Sequence, residues 1–297
     1  MTKQRILVTG GSGQLARALA EAGGDRVRVV GRPAFDFERM ETVEAVFRAE
    51  DPWLVVNAAA YTAVDAAEKD YDGAMRVNRD GPGELGRLCV EAGIPLIHVS
   101  TDYVFDGSNT EPYVETDWVW PQNVYGGSKL AGEFAVFGTG ARAIILRTAW
   151  VYSSTGRNFV RTMLELAKTR DSLRVVSDQL GCPTSADDLA AAILAIADRL
   201  ETTGWESRYW GLLHAANAGE TSWHGLAEAV FEDAARHGAN VPATVEAIST
   251  AEYPTPAKRP PNSRLNCGRL ESLFGVTMPH WRDGLRRTID RIFAAER

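Results

Sequence analysis

The residues best suited to chemistry in this sequence are Tyr125 and Lys129, in the run Tyr-Gly-Gly-Ser-Lys. Two side chains four residues apart on a helix lie one turn apart on the same face. A phenol ionises near pH ~10, and a neighbouring ammonium group is expected to lower its pKa by favouring the phenolate. Such a pair could exchange a proton near neutral pH. Because the same spacing is common on ordinary amphipathic helices, it needs support from its surroundings.

The elements that must position this pair are typical of an α/β protein. Apolar segments alternate with helical patterns, which predicts a Rossmann-type, doubly wound parallel sheet covered by helices on both faces. The predicted strands of this sheet are 5–9, 27–30, 54–57, 95–100, 143–149 and 211–215. The main predicted helices are 15–22, 40–50, 74–92, 158–168, 189–200, 223–237 and 281–295. His98 lies inside the fourth strand and is expected to be a buried core residue.

A glycine turn follows the first predicted strand and opens the first helix. Gly10 and Gly13 would allow a tight turn, so that a pyrophosphate approaches the backbone N–H groups at the helix start. Ala16 stands where the dinucleotide-binding fingerprint has its third glycine, a substitution that the fingerprint permits. The position of this turn, between a strand and a helix, predicts a dinucleotide site.

Two further segments bear on the same site. The second strand ends without the acidic residue that would bond a ribose 2′-hydroxyl, and Arg32 stands there instead. Arg32 either accommodates a 2′-phosphate or is a solvated loop residue. The small residues from Ala58 to Ala60 would let a cofactor lie against the backbone, or they serve close packing.

The second half of the chain has a different character. We predict a dinucleotide-binding domain from residues 1–152 plus about 186–217. Residues about 153–185 plus 218–297 are predicted to form a smaller, mixed α/β substrate-binding domain. Residues 181–184 are predicted to be a turn. A basic, proline-rich loop containing Arg259 could contact a diphosphate, although such runs are more often solvated surface.

Composition limits the kinds of partner. The chain has 297 residues and a net charge of −7, which argues against nucleic acid as a partner. Cys89, Cys182 and Cys267 show neither disulfide nor metal spacing, as expected in a reducing cytosol, and the histidines form no metal motif. A strand is predicted by residue 5 and no apolar run approaches ~18 residues, so we expect a cytoplasmic protein without a signal peptide or membrane span.

Several motifs occur in one colinear series over nearly the whole chain. They include Gly-x-x-Gly-Gln-Leu, Asn57-Ala-Ala-Ala-Tyr-Thr-Ala-Val-Asp, Ser100-Thr-Asp-Tyr-Val-Phe, Asn-Val-Tyr125-Gly-x-x-Lys and Arg147-Thr-x-Trp-Val-Tyr. Asp-Gln-x-Gly-x-Pro-Thr and Arg259-Pro-x-Asn-Ser-x-Leu complete the series. The series resembles the dTDP-4-dehydrorhamnose reductase family of the extended short-chain dehydrogenase/reductases.

The resemblance implies NAD(P)H-dependent reduction of the 4-keto group of dTDP-4-dehydro-L-rhamnose to dTDP-L-rhamnose. It implies that Tyr125 is the general acid, that Lys129 lowers the Tyr125 pKa and binds the nicotinamide ribose, and that Thr101 holds the ketone oxygen. The expected cofactor contacts are Gly10, Gly13, Gln14, Leu15, Arg32, Asp36, Phe37, Ala60, Tyr61, Thr62 and Lys129. The expected substrate contacts are Val64, Asp65, Thr101, Asp102, Tyr125, Trp150 and Arg259. Trp150 could equally be a core residue.

The resemblance leaves several points open. NADPH is expected to be preferred, with NADH also accepted. Some family members are linked to Mg²⁺ at a dimer interface; no carboxylate cluster here matches such a site, so we predict no metal ligands, and both Mg²⁺ and a homodimer rest on the resemblance alone.

Other functions remain possible for the same scaffold. The alternatives are another nucleotide-sugar 4-ketoreductase, a dehydratase or epimerase, and a non-catalytic NADP-binding regulatory subunit. Dehydratases of this scaffold carry Thr-Asp-Glu at the end of the fourth strand, whereas this chain has Tyr103 in place of the glutamate.

Overall fold

Short strands alternate with helices along residues 5–295, the part of the chain that the computed structural model describes. The strands are β1 (Ile6–Thr9), β2 (Val27–Val30), β3 (Leu54–Asn57), β4 (Leu96–Thr101), β5 (Ala143–Thr148), β6 (Val151–Tyr152), β7 (Ser172–Val176), β8 (Leu180–Gly181), β9 (Thr184–Ser185), β10 (Gly211–His214), β11 (Thr221–Ser222) and β12 (Thr244–Ile248). The α-helices are α1 (Gln14–Gly23), α2 (Met40–Glu50), α3 (Val64–Ala67), α4 (Tyr71–Met75), α5 (Gly81–Ala92), α6 (Val124–Gly138), α7 (Phe159–Ala167), α8 (Ala186–Thr203), α9 (Trp223–Ala235), α10 (Gly268–Phe274) and α11 (Trp281–Ala295).

Six of these strands form one parallel sheet with the order β2-β1-β3-β4-β5-β10. The chain runs outward from β1 in one direction to β2 and in the other direction through β3 to β10, so the strand order reverses between β1 and β3. Ligands of doubly wound sheets bind at the carboxyl ends of the strands beside such a reversal. The predicted fold class is confirmed.

Apolar layers cover both faces of the sheet. β1, β3 and β5 are buried along their whole length, as expected for strands packed on both sides. On one face the core joins α1, α8 and α10, and on the other it joins α2, α5 and α6. Within residues 5–295, no helix is both long enough and apolar enough to cross a membrane.

A second apolar core lies among α7, α9 and α11, beside the parallel pair of β7 and β12. Alternating helices and short strands build this part of the molecule. The domain boundaries near residues 152, 186 and 217 stay a prediction.

Two local predictions differ from the structure. The helix expected over 74–92 is divided into α4 and α5 by a π-helical turn at Arg76–Asp80. Single π-helical turns inside α-helices are frequently found at functional sites. The spacing of apolar residues in the sequence does not reveal them. The segment 181–184, expected to be a turn, contributes residues to β8 and β9, because both short strands pair with distant partners.

A buried ion pair joins the helix that carries Tyr125 to the middle of the sheet. Glu133 on α6 accepts two hydrogen bonds from Arg147 on β5, with Oε1–Nε at 2.9 Å and Oε2–Nη2 at 2.6 Å. Glu133 Oε1 also accepts from the Ser100 hydroxyl on β4 at 2.5 Å. Both charged side chains are 2% exposed, so water cannot replace either partner if the other is removed.

We expect Glu133→Gln to lower the free energy of unfolding by about 3–5 kcal/mol, because it leaves the Arg147 charge buried without a counter-charge. Urea denaturation with two spectroscopic probes measures the loss. The exposed pair of Glu44 and Arg48 is the control, and Glu44→Gln should hardly move the midpoint. Equal midpoints for both variants would show that the buried pair does not stabilise this junction.

Candidate active site

A cavity of about 980 Å³ opens at the carboxyl ends of the central strands. Its volume lies at the upper end of the usual range for small-molecule sites, ~300–1,000 Å³. The glycine turn after β1, the segment after β3, the end of β4 and the first turns of α6 all line it. The cavity therefore lies at the reversal of strand order, where the sheet topology favours ligand binding.

The start of α6 places Tyr125 and Lys129 in this cavity. Asn123 caps the helix, since its side-chain oxygen accepts from the Gly126 N–H at 2.8 Å. Gly126 lets the helix lie against the end of β4, because a Cβ at this position would come within 2.2 Å of the Tyr103 carbonyl oxygen. One turn along, the Lys129 ammonium donates to the Val99 carbonyl at 2.7 Å. Both predicted residues thus face the end of β4.

The residues that end β4 stand opposite this helix. The Thr101 hydroxyl donates to Asp102 Oδ1 at 2.9 Å, and its oxygen accepts from the Tyr103 N–H at 3.2 Å. Thr101 also lies beside the Tyr125 phenol and is one of the groups that shift its pKa. The Tyr103 ring meets the Tyr125 ring edge to face, with 5.8 Å between centroids. Thr101 and Tyr125 therefore lie beside each other on the cavity lining, as the motif order suggested.

The expected effect of Lys129 on Tyr125 is wrong in this structure. Burial raises the pKa of Tyr125 to about 12; the neighbouring Thr101 hydroxyl opposes this shift, and the Asp102 charge adds to it. Lys129 is not among the groups that shift the Tyr125 pKa, and its ammonium group donates to the Val99 carbonyl. Tyr125 is consequently a phenol that keeps its proton at neutral pH.

Burial also shifts the other two ionisable groups. The pKa of Lys129 falls to about 8, because desolvation disfavours the ammonium form more than the Glu133 charge supports it. The pKa of Asp102 rises to about 7, mainly by desolvation. Asp102 Oδ2 is buried at the cavity without a hydrogen-bond partner among residues 5–295. An unsatisfied acceptor of this kind is suited to a ligand hydroxyl.

The glycine turn has the geometry needed for a pyrophosphate. Gly10 has a φ of +109°, and a Cβ there would come within 3.0 Å of the Ala58 carbonyl oxygen. Gly13 precedes α1 and supplies no side-chain cap, so the first N–H groups of α1 remain available. An anion at such a helix start is stabilised by these donors and by the helix dipole. The residues present therefore fit a dinucleotide.

Asn78 was not predicted, although it joins two parts of the site. Its side chain accepts from the Tyr61 N–H at 2.8 Å and donates to the Tyr61 carbonyl at 3.1 Å. It also donates to the Ser128 hydroxyl at 2.9 Å, and that hydroxyl donates to the Tyr125 carbonyl. Asn78 lies in the π-helical turn, which the sequence pattern does not reveal. This turn therefore holds Tyr61, a predicted cofactor contact, against α6.

Trp150 borders the cavity in a conformation that few non-glycine residues adopt, with a φ of +47°. One face of its indole stacks on Trp223 with 3.5 Å between ring centroids, and its Nε1 donates to the Ser263 hydroxyl at 3.1 Å. Trp150 thus has both the packing role and the cavity position that the sequence left open. Trp223, which also lines the cavity, was not predicted.

Asp65 and Arg259 do not line the cavity, although both were expected to contact the substrate. They form a two-pronged ion pair, with Nη1–Oδ1 and Nη2–Oδ2 both at 2.9 Å. The Arg259 hydrogen bond is the main reason that the pKa of Asp65 is lowered. The pair fastens the loop of Arg259 to α3, and a contact of this loop with a diphosphate stays a prediction.

All other predicted site residues lie on the cavity lining. The predicted residues brought together there are Gly10, Gly13, Gln14, Leu15, Arg32, Asp36, Phe37, Ala60, Tyr61, Thr62, Val64, Thr101, Asp102, Tyr125, Lys129 and Trp150. Among residues 5–295, no group of three or more His, Cys, Asp or Glu side chains could hold a metal ion.

The chain resembles known proteins over almost its whole length. The model of the family described as "RmlD substrate binding domain" matches residues 4–293. The dTDP-4-dehydrorhamnose reductase of Sinorhizobium fredii is 47% identical over 291 residues, which cover 96% of each chain.

Solved structures agree with this result. The crystal structure of a dTDP-4-dehydrorhamnose reductase from Clostridium acetobutylicum superposes with a TM-score of 0.88 at 38% identity, covering 97% of this chain and 99% of that chain. The dTDP-4-dehydrorhamnose reductase of Bacillus anthracis, solved in complex with NADP, also gives a TM-score of 0.88, at 33% identity over 98% of this chain and 100% of that chain.

The lowered pKa of Lys129 predicts a change of stability with pH. Between about pH 8 and 10.5 the unfolded chain holds a proton on Lys129 that the folded protein has lost, so folding becomes more favourable as pH rises. We expect this site to contribute about 3 kcal/mol across the interval, since each pKa unit is worth ~1.4 kcal/mol.

The measurement is the free energy of unfolding at several pH values for the wild type and Lys129→Met. The variant should lose this increase, whereas the exposed control Lys258→Met should keep it. An unchanged pH dependence in Lys129→Met would contradict the burial of an ionisable ammonium group at this site.

Proposed function

Because this chain belongs to the dTDP-4-dehydrorhamnose reductase family, we propose that it reduces dTDP-4-dehydro-L-rhamnose to dTDP-L-rhamnose with NADPH. The NADP bound to the Bacillus anthracis relative supports the choice of dinucleotide. The observation that carries the proposal is that Thr101, Tyr125 and Lys129 line one cavity together with the glycine turn.

The cofactor would be held by groups that already surround the cavity. The N–H groups at the start of α1 bind the pyrophosphate, and Gly10 lets it approach the backbone. Lys129 would bind the nicotinamide ribose, and the guanidinium group of Arg32 would donate hydrogen bonds to the 2′-phosphate. When bound, NADPH supplies the hydride that reduces the C4 ketone.

The protein's own contribution to the reaction is proton transfer and stabilisation of charge. As the ketone oxygen gains negative charge, the Tyr125 phenol donates its proton to that oxygen. A pKa near 12 keeps Tyr125 protonated at neutral pH, while an alkoxide is a stronger base than the phenolate and takes the proton. The Thr101 hydroxyl, which can rotate away from Asp102, stabilises the same oxygen by a hydrogen bond.

Two residues provide contacts for the sugar. The unpartnered Oδ2 of Asp102 accepts a hydrogen bond from a sugar hydroxyl, which satisfies an otherwise orphaned buried acceptor. The indole of Trp150, fixed by its stacking on Trp223, packs against the deoxysugar. The expected homodimer and the cytoplasmic location stay predictions.

The dehydratase alternative has little support in the site. A dehydratase requires a base that removes the C5 proton of the sugar. Where dehydratases of this scaffold have the glutamate of Thr-Asp-Glu, this chain has Tyr103. Burial raises the pKa of Tyr103 above its usual value, and the Asp102 charge adds to the effect. Tyr103 therefore stays protonated at neutral pH and is a poor base.

The function is tested by following NADPH oxidation with purified protein and dTDP-4-dehydro-L-rhamnose. Consumption of NADPH should require the keto-sugar, and dTDP-L-rhamnose should form in equal amount. With NAD and dTDP-glucose, no 4-keto product should appear. Dehydration of dTDP-glucose would favour the dehydratase, and cofactor binding without turnover would favour the regulatory subunit.

Within this assay, Tyr125→Phe should lower turnover by about 10²- to 10⁴-fold, the usual effect of removing a positioned general acid. NADPH affinity and melting temperature should remain close to those of the wild type. Tyr71→Phe, which changes an exposed tyrosine, is the control and should be fully active. Turnover of Tyr125→Phe at the wild-type rate would remove Tyr125 from the mechanism.

The choice of dinucleotide should depend on Arg32. Arg32→Ala should weaken NADPH binding by roughly tenfold, since a charged hydrogen bond to the 2′-phosphate is lost, and leave NADH nearly unaffected. Dissociation constants for both dinucleotides measure the difference. Equal losses, or none, would show that Arg32 does not read the 2′-phosphate.

Trp150→Ala should raise the KM for the keto-sugar by about tenfold or more, because an aromatic contact with the sugar is lost. The Kd of NADPH should stay nearly unchanged. Trp118→Ala, at an exposed position outside the cavity lining, is the matched control. A lower melting temperature with normal kinetics would assign Trp150 to packing alone.

A further inference from the structure

The loop between β6 and α7 is fastened to the glycine turn by one side chain. Gln14, the first residue of α1, directs its side-chain oxygen at this loop. That oxygen accepts from the Ser153 hydroxyl at 3.1 Å and from Asn158 Nδ2 at 2.8 Å. The part of the molecule built from α7, α9, α11, β7 and β12, with the loops that join them, is called the second lobe here. The loop between β6 and α7 therefore reaches from the second lobe across the start of α1.

Hydrogen bonds within the loop fix its shape. Asn158 Nδ2 also donates to the Ser153 carbonyl at 2.9 Å, and Asn158 Oδ1 caps α7 by accepting from the Arg161 N–H. The Arg161 guanidinium donates to the Ser154 carbonyl at 2.7 Å. The backbone of this loop is consequently held in place before any ligand binds, which lowers the entropic cost of binding.

The group that the loop carries is Arg157. Its side chain is exposed and lines the same cavity as the glycine turn. Among residues 5–295, the Arg157 guanidinium has no hydrogen bond or ion pair. The described cations on the cavity lining are Arg32, Lys129 and Arg157. In a chain of net charge −7, an anionic ligand depends on such local cations.

We propose that Arg157 binds the pyrophosphate of the dinucleotide from the side opposite the start of α1, and that Gln14 positions it there. The inference rests on the proposed function, since it assumes that the glycine turn holds the cofactor. A guanidinium group offers two parallel donors to phosphate oxygens, and the N–H groups of α1 approach the same anion from the other side. The second lobe thereby contributes to cofactor binding, not only to the sugar pocket.

The contacts of the loop favour the pyrophosphate over the other phosphates. Arg157 adjoins Gly156, where a Cβ would lie 3.6 Å from Gln14 Cγ, so this part of the loop lies directly beside the glycine turn. The 2′-phosphate is assigned to Arg32 at the end of β2. Lys129 lies deeper, at the end of β4.

The test compares dissociation constants for NADPH and NADH, measured by calorimetry without sugar at low and at physiological salt. Arg157→Ala should weaken both dinucleotides by about tenfold, because both carry the pyrophosphate. Arg157→Lys should lose less, since it keeps the charge but not the paired donors. The salt dependence of binding should also be smaller in Arg157→Ala.

Arg170→Ala is the matched control, because it removes an exposed arginine of the same lobe outside the cavity lining. It should bind both dinucleotides like the wild type. The melting temperature of Arg157→Ala should equal that of the wild type. The KM for the keto-sugar at saturating NADPH should not change.

A double-mutant cycle tests the role of Gln14. Gln14→Ala releases the loop but keeps the backbone of α1, so Arg157→Ala should weaken binding by less than about twofold in that background. Full multiplication of the two effects would overturn the positioning by Gln14.

Other outcomes would overturn the assignment of Arg157. Weaker binding of NADPH alone would move Arg157 to the 2′-phosphate, and a higher KM for the keto-sugar alone would move it to the sugar diphosphate. Unchanged affinities would make it a surface residue. Wild-type protein that binds NADPH but does not reduce the keto-sugar would refute the proposed function and leave the binding test of Arg157 valid.

Discussion

The site depends on the contact between one face of α6 and the end of β4. Tyr125, Lys129 and Glu133 follow each other at intervals of four residues, and each faces a different residue of the strand. Tyr125 lies beside Thr101, Lys129 donates to the Val99 carbonyl, and Glu133 accepts from the Ser100 hydroxyl. Because these polar groups are removed from water, a shift of the helix would leave several of them unsatisfied at once. The desolvation that fixes this helix also sets the proton affinities of the site.

The second lobe is attached to the same helix. Asn123, which caps α6 with its side-chain oxygen, donates from its Nδ2 to the Lys258 carbonyl at 2.8 Å. The ion pair of Asp65 and Arg259 fastens the same loop to α3. A few polar contacts thus hold the loop of Lys258 and Arg259 in register with the start of α6. This arrangement explains why Arg259 has a structural contact although its motif suggested a ligand.

The sequence predicted the sheet and most of the cavity lining correctly because these depend on local patterns. Buried parallel strands are continuous apolar runs, and their carboxyl ends must meet at one edge. The sequence therefore predicts that Thr101 and the glycine turn lie at the same edge of the sheet. Asn78 could not be predicted, since an asparagine inside a helical pattern gives no sign of a π turn. Trp223 and Arg157 were missed because they reach the cavity from elements distant in the chain.

By itself, the sequence determined the order along the chain of the motifs that could do chemistry. It also determined the spacing of Tyr125 and Lys129 and the family to which the protein belongs. The tertiary structure decided the proton affinities and the partners of the charges. The expected fall in the Tyr125 pKa failed for this reason: the spacing along a helix sets which side chains share a face, but burial and the nearest acceptor set their ionisation. Lys129 bonds to a strand carbonyl that no sequence pattern specifies. Desolvation and charge pairing are properties of the packed chain, so only the fold determines them.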